Sequence, residues 1–121
     1  MPRAGARNQL GFAGEELAAQ FLLKKGYLLL ARNVEEGVGE IDLLMQDAEA
    51  IVLVEVKTQS ISRHFNPIEK IDYAKQKKLR LLASVVAARY PNKDIRVDAV
   101  TVHYVSGQSN PVITHLENIL I

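Results

Sequence analysis

Apolar positions recur every three or four residues in two stretches of the chain, and in five others they alternate or run together as strands do. Over residues 9 to 25, Leu17, Ala18, Phe21 and Leu22 mark one face of a helix, and Gly26 ends it. Tyr27 to Ala31 is a short apolar strand that gives way to a polar turn, Asn33 to Gly39. A second strand follows from Glu40 to Gln46 and a third from Ile51 to Thr58, so three strands in succession predict a meander. Asn66 as N-cap and Pro67 in the first helical position start a second helix, which continues to about Tyr90, where Pro91-Asn92 breaks it. At about 100° per residue, Ile68, Ile71, Leu79, Leu82 and Val86 form its apolar stripe. Ile95 to Val105 reads as a strand, Ser106 to Pro111 as a turn, and Val112 to Leu116 as a last strand at a sheet edge. The order α-β-β-β-α-β-β predicts an α/β sandwich around a mixed sheet.

The third strand departs from a plain apolar run. Ile51, Leu53, Glu55 and Lys57 share one face and Val52, Val54 and Val56 the other, so both faces are apolar where the strand begins. That is the pattern of a central strand covered on both sides, with two charges near the covered end. If the preceding hairpin loop has an even number of residues, Gln46 pairs with Ile51 and the same register sets Asp42 opposite Glu55, Cβ atoms roughly 5 Å apart. Two facing carboxylates in a partly dry site repel unless a cation shares them. Mg²⁺ suits such a pair, since it takes one or two carboxylates and completes its shell with waters and phosphate oxygens. Lys57 would then orient or help deprotonate a water nucleophile and stabilise charge building on the phosphorus, the logic of metal-assisted phosphodiester hydrolysis. The other reading of Glu55-Val56-Lys57 is an exposed ion pair.

Composition adds limits. The chain has 121 residues, 48% of them hydrophobic and 24% charged, the size of one compact domain, 1–121, and no linker or internal repeat divides it. With no cysteine, neither a disulfide framework nor a thiolate zinc site is available, which fits a reducing cytoplasm. The N-terminal residues carry basic groups without the apolar stretch of a signal peptide, and nothing approaches a membrane span, so a soluble cytoplasmic protein is expected. The net charge of +1 means that nucleic-acid binding must rest on local clusters of Lys and Arg.

"GEIDLL" followed after a short turn by "LVEVKT" resembles the Asp…Glu-x-Lys site of the restriction-endonuclease-like superfamily, and in particular its small YraN-like bacterial family, which is similar to archaeal Holliday-junction resolvases. The likeness runs over nearly the whole chain. "GFAGEELAAQFLLKKGY" resembles that family's opening helix, "FNPIEKIDYAKQKKLRLLA" its Lys-Gln helix, and "IRVDAVTV" its late Arg-x-Asp strand. The resemblance implies a restriction-endonuclease-like fold in which Asp42 and Glu55 are metal ligands, Lys57 is the catalytic lysine and Glu15 is the helix-borne carboxylate that completes the site. Glu15 also borders the first helix's apolar stripe while Glu16 points away, although a carboxylate in a helix's first turns is favoured by the dipole in any case. Glu40 shares Asp42's face in an ideal strand and reads equally as a solvated strand-end charge.

Lys75 falls near the middle of the second helix's apolar stripe, where it must snorkel or find an anionic partner; it matches the Lys of the family's Lys-Gln, which implies an active-site or phosphate-facing role. Lys70, Lys77 and Arg80 lie elsewhere on that helix, as a solvated face or as contacts to a nucleic-acid backbone. The family usually has Arg after Glu-Val-Lys-Thr; Gln59 stands there instead, and Arg63 in the loop Ser60 to Phe65 would compensate. His64 reads as a surface residue, His103 and His115 have no partner at metal-ligand spacing, and Arg96 with Asp98 reads as a structural pair. Together these features predict an endonuclease dependent on Mg²⁺ or Mn²⁺ and acting on structured DNA, with branched DNA as one option, as a homodimer if two strands are cut symmetrically. The alternative is a non-catalytic nucleic-acid-binding or scaffold protein that keeps the fold.

Overall fold

A computed structural model describes residues 9–59 and 73–120 of the chain. Helix α1 spans Gln9–Lys24; strands β1, Leu28–Glu36, β2, Gly39–Asp47, and β3, Ala50–Gln59, follow; then come α2, Tyr73–Arg89, β4, Asp94–His103, and β5, Val112–Leu116. The strands form one sheet in the order β1-β2-β3-β4-β5. The first three make an antiparallel meander, β4 lies parallel to β3, and β5 closes the far edge antiparallel to β4. A parallel neighbour needs a crossover connection, and α2 lies within the one that joins β3 to β4. Element order and mixed sheet are those of the restriction-endonuclease-like α/β fold anticipated from the sequence.

Two apolar cores flank the sheet. On one face Ala18, Ala19 and Leu22 of α1 pack with Leu43, Met45, Val52, Val54, Val100 and Val102. On the other, Leu79, Leu82 and Val86 of α2 pack with Ile41, Leu44, Ile51, Leu53 and Val97. The solid run Ile51 to Val54 thus divides evenly between the cores, which is why β3 has no polar alternation at its start. Each of these Leu, Ile and Val side chains, buried, contributes roughly 1.5–3 kcal/mol. Gly26, at φ 101, turns the chain from α1 into the sheet, a conformation that strains any residue with a Cβ.

The first hairpin differs from expectation. The stretch read as a turn, Asn33 to Gly39, is mostly strand: β1 runs to Glu36, which pairs with Gly39 around Gly37 and Val38. The strand survives its polar residues because it pairs with β2 from Leu28 to Glu36, with a register shift between Leu29 and Ala31. Asn33 has φ 49, a left-handed conformation that Asn tolerates better than most residues, and the pairs Arg32↔Leu43 and Val34↔Ile41 bracket Asn33 and Asp42 without pairing them. Side-chain alternation changes phase there. Ala31 and Val34 both pack into the α2-side core, as do Ile41 and Leu44, although an ideal strand would point residues three apart to opposite faces. Glu40 therefore does not share a face with Asp42 by simple alternation. β4 ends at His103, two residues short of the expected Val105. The second helix's start at Asn66-Pro67, Ile68 and Ile71 of its stripe, Lys70, and the loop with Arg63 and His64 lie outside the described residues.

Candidate active site

The β2–β3 register is the anticipated one: Gln46 pairs with Ile51, and a two-residue loop follows Asp47↔Ala50. The ladder nevertheless stops at Leu43↔Val54, one pair short of Asp42 and Glu55. Beyond that point β2 stays with β1 as far as Glu36↔Gly39, while β3 stays with β4 as far as Gln59↔His103, so the sheet forks. The Asp42 carboxylate bridges the fork, its Oδ2 accepting a hydrogen bond from the Val56 N–H at 2.8 Å. That N–H has no strand partner in β2, and a carboxylate satisfies it with a charge-assisted bond.

Glu55 lies on the α2 side of β3, in phase with Ile51 and Leu53, and is only 4% exposed. Burial rules out the exposed ion pair. Its Oε2 instead receives two ammonium groups, Lys75 Nζ at 2.9 Å and Lys57 Nζ at 3.5 Å, each lysine side chain about one-third exposed. Lys75 has thus found the anionic partner that its place on the apolar stripe demanded, its charge at Glu55. Beside Glu55 on β4 stands the fully buried Ala99, a small residue, and beside Lys57 stands Thr101, 1% exposed, whose Oγ1 has no hydrogen-bond partner among the described residues. Lys77 is exposed, on the outer surface of α2.

Glu15 approaches from the other layer. A Cβ on Gly14 would run into Thr58 Oγ1 and stand 3.1 Å from Thr58 Cβ, so the glycine is what lets α1 lie directly on the end of β3. The next residue, Glu15, is 5% exposed, and its Oε1 accepts a hydrogen bond from Asn33 Nδ2 at 3.0 Å. Asn33 lies between the pairs Arg32↔Leu43 and Val34↔Ile41, as Asp42 does on β2; the Asn33 side chain reaches α1 at Glu15 and that of Asp42 reaches β3 at Val56. Sequence reasoning passed over Asn33 as part of a turn; its tolerance of positive φ was the one available signal.

The charged groups at the fork are carboxylates and lysines, and the chain has no cysteine. Among the described residues no group of three or more His, Asp or Glu gathers to hold an ion with protein ligands alone. Such a set fits a hard cation that keeps much of its shell as water and phosphate oxygen, and fits zinc poorly.

A second polar cluster lies on the α1 side of the sheet. Asp98, fully buried, accepts hydrogen bonds from Arg96 Nε (2.9 Å) and Nη2 (3.0 Å), His115 Nε2 (2.8 Å), Tyr27 Oη (3.2 Å) and the Asn118 N–H (3.0 Å). Lys25 Nζ stands 2.9 Å from His115 Nδ1; an ammonium can only donate, so Nδ1 accepts and the ring proton sits on Nε2, facing Asp98. Burial by itself would raise the Asp98 carboxyl, but the bonds from His115, Arg96 and Asn118 outweigh it and hold the group at about 2. Burial, followed by the neighbouring Asp98 charge, pushes the Tyr27 phenol above its ordinary range. Arg96 and Asp98 thus form the structural pair read from the sequence, while His115 and Lys25, 90 residues apart, gave no signal of their meeting.

The chain is 48% identical to a UPF0102 protein of Symbiobacterium thermophilum over 81 residues, which is 67% of this chain and 69% of that one. It is 39% identical over 119 residues to a UPF0102 protein of Nocardia farcinica, covering 97% and 93% of the two chains, and 36% identical over 117 residues to one from Thermodesulfovibrio yellowstonii, covering 93% and 96%. Among solved structures it is similar to an EndoMS complex with double-stranded DNA, at TM-score 0.45 and 16% identity over 78% of this chain and 37% of that one; a likeness of that degree says nothing about activity or ligand. No described helix is long and apolar enough to cross a membrane. The model of the family described as "Uncharacterised protein family UPF0102" matches residues 14–102, and the chain belongs to that family, the YraN-like family its motifs resembled.

Proposed function

We propose that the protein is an endonuclease that uses Mg²⁺ or Mn²⁺ to hydrolyse phosphodiester bonds in structured DNA, with branched DNA as the favoured substrate. The observation that carries this reading is the fork: the β2–β3 ladder ends one pair before Asp42 and Glu55, and the Asp42 carboxylate reaches β3 at the Val56 N–H, between Glu55 and Lys57 in the chain. Asp42 and Glu55 are the residues that would hold the ion. When bound, the ion supplies a Lewis acid and lowers the pKa of water. Lys57 directs its ammonium at the negative charge that accumulates on the phosphate, an interaction stronger in a partly buried site than in open water. Lys75, paired with Glu55 at 2.9 Å, is the lysine whose ammonium would also reach a phosphate oxygen of bound DNA. Lys77 on the exposed side of α2, together with Lys70 and Arg63 outside the described residues, contributes sequence-independent backbone contacts. Symmetric cutting of a branched substrate calls for two copies of the site, hence a homodimer.

A second reading also has an observation behind it. Two lysines already neutralise Glu55, an arrangement that is stable without any ion, and Gln59 removes a charge beside the site; both suit a non-catalytic nucleic-acid-binding or scaffold protein. One experiment separates the two. Labelled single-stranded, duplex, flap and four-way-junction DNA is incubated with Mg²⁺, Mn²⁺ or neither, using wild type, Lys57→Ala and Asp42→Asn at equal folded concentration. Metal-dependent cutting abolished by both substitutions is the expected result, and binding without cutting on every substrate would leave the scaffold reading.

A further inference from the structure

The outward face of α2 carries charge and an aromatic ring that the folded state does not use. Five of the chain's 15 Lys and Arg, and none of its 14 Asp and Glu, lie on α2, a local excess that the net charge of +1 conceals. Neighbours one turn apart, Lys75 with Lys78 and Lys77 with Arg80, are like-charged, an arrangement that weakens a helix. Lys77 and Lys78 are exposed and pair with no carboxylate among the described residues. Tyr73 is 75% exposed, more than any other large apolar side chain among the described residues, so its ring adds nothing to either core.

At about 100° per residue, Tyr73 and Lys77 lie on one side of the helix, about 6 Å apart along its axis, and Lys78 lies on the flank towards β2. The stem of Lys78 runs over Gly39, the first residue of β2, its Cδ 3.2 Å from where a Cβ on that glycine would stand. A lysine seated in this way has given up part of its rotamer freedom before any ligand arrives. Lys75, on the opposite side of the helix, holds Glu55 at the fork. One helix diameter, about 10 Å, thus separates the fork from the outward face.

We infer that the outward face of α2 binds a single-stranded DNA segment, an unpaired base stacking on Tyr73 while Lys77 and Lys78 hold the phosphates beside it; as a statement about substrate, this rests on the nuclease reading above. The positive charge selects a polyanion, and the ring selects among polyanions. In a duplex the bases are stacked on one another and present only their edges and the phosphates. An unpaired base offers a free π-face, and stacking on an aromatic side chain tolerates any sequence. The substrate class narrows from branched DNA to DNA with a single-stranded arm, the junction at the fork and the arm leaving across α2.

The test measures binding and cutting separately. Fluorescence anisotropy without divalent metal, over a range of salt, follows a labelled single strand, the same sequence as duplex, and a duplex with a single-stranded flap. The proteins are wild type, Tyr73→Ala, Tyr73→Phe, Lys77→Ala and Lys78→Ala, with folding checked by urea denaturation. Tyr73→Ala is expected to weaken single strand and flap roughly 5- to 100-fold and to leave duplex within about twofold, with Tyr73→Phe close to wild type because the ring does the stacking. Each lysine substitution is expected to reduce the slope of log affinity against log salt by about 0.7 on the single strand. Equal loss on duplex and single strand in Tyr73→Ala, no loss on either, or unchanged salt slopes in both lysine variants would overturn the inference, as would a wild type that binds no single strand. The same proteins are then given Mg²⁺ or Mn²⁺, and wild type is expected to cut the flap faster than plain duplex, an advantage that Tyr73→Ala loses. Metal-dependent cutting with binding and flap preference untouched by Tyr73→Ala overturns the face and leaves the nuclease standing. The expected binding pattern with no cutting by wild type overturns the nuclease reading and leaves the face.

Discussion

A buried hydroxyl with no partner weighs against the folded state, and among the described residues Thr101 Oγ1 is in that position beside Lys57. Replacing it by the isosteric Thr101→Val removes the unpaired oxygen and keeps the shape, so the variant is expected to be more stable than wild type by about 1 kcal/mol, read as a higher urea midpoint at unchanged slope. A lower midpoint would show that the hydroxyl is satisfied in solution. Lys75 carries the next expectation at this scale. Its ammonium, 2.9 Å from Glu55, competes with any cation for that carboxylate, so Lys75→Met should tighten Mn²⁺ binding several-fold while slowing cleavage. Weaker Mn²⁺ binding in that variant would mean that Lys75 holds Glu55 in place for the ion.

Among the elements, the junction of α1 with β3 is set by one missing side chain. Gly14→Ala puts a methyl against Thr58 Oγ1 and should destabilise the protein by about 1–3 kcal/mol, an overpacking cost that Thr58→Ala in the same chain partly relieves, since it removes the nearest atom. Thermal denaturation of the two single variants and the double measures the coupling; additive effects would place the contact elsewhere. The elements themselves were legible to different degrees for physical reasons. The solid run Ile51 to Val54 announced a strand covered on both faces, and the two helices showed their apolar stripes, because burial on one or both sides leaves a periodic record in the residues. β1 past Ala31 did not, since Arg32, Asn33, Glu35 and Glu36 read as turn when only the composition is visible; their strand is held by pairing with β2, a tertiary fact. For the site, Asp42, Glu55 and Lys57 were legible as charges in apolar strands. The fork that parts β2 from β3, and the amide that holds Glu15, depend on which hydrogen bonds the backbone gives up, and no pattern of residue types records that.

On the scale of the whole molecule, Asp98 is where the chain's distant parts are fastened. Its carboxylate joins Tyr27 after α1, Arg96 on β4, His115 on β5 and the Asn118 N–H beyond β5, and next to it the Ile119 N–H bonds to Val97 O at 2.8 Å. A charge buried this deeply stabilises only while ionised and fully partnered. The folded-state carboxyl titrates at about 2 against an ordinary value of 3.8, so as pH falls the unfolded chain takes up the proton first. The contribution of Asp98, roughly 2 kcal/mol, is therefore present in full above about pH 4 and is lost as pH falls through about 2. Asp98→Asn keeps the size, removes the charge that five donors from four residues converge on, and leaves Arg96 with Asp47 as its remaining carboxylate at 3.2 Å. It should cost several kcal/mol at neutral pH, in the range of 3–5 found when one partner of a buried pair is removed. It should also flatten the acid limb of the stability curve, because the group responsible for that proton uptake is gone. Chemical denaturation of both proteins from pH 7 down to pH 2 measures the two effects together. Parallel curves, equally steep in acid, would assign the acid sensitivity to other carboxylates and leave Asp98 as a packing contact. Converging curves would identify it as the group through which acid loosens the attachment of β5 and the segment beyond it to the sheet.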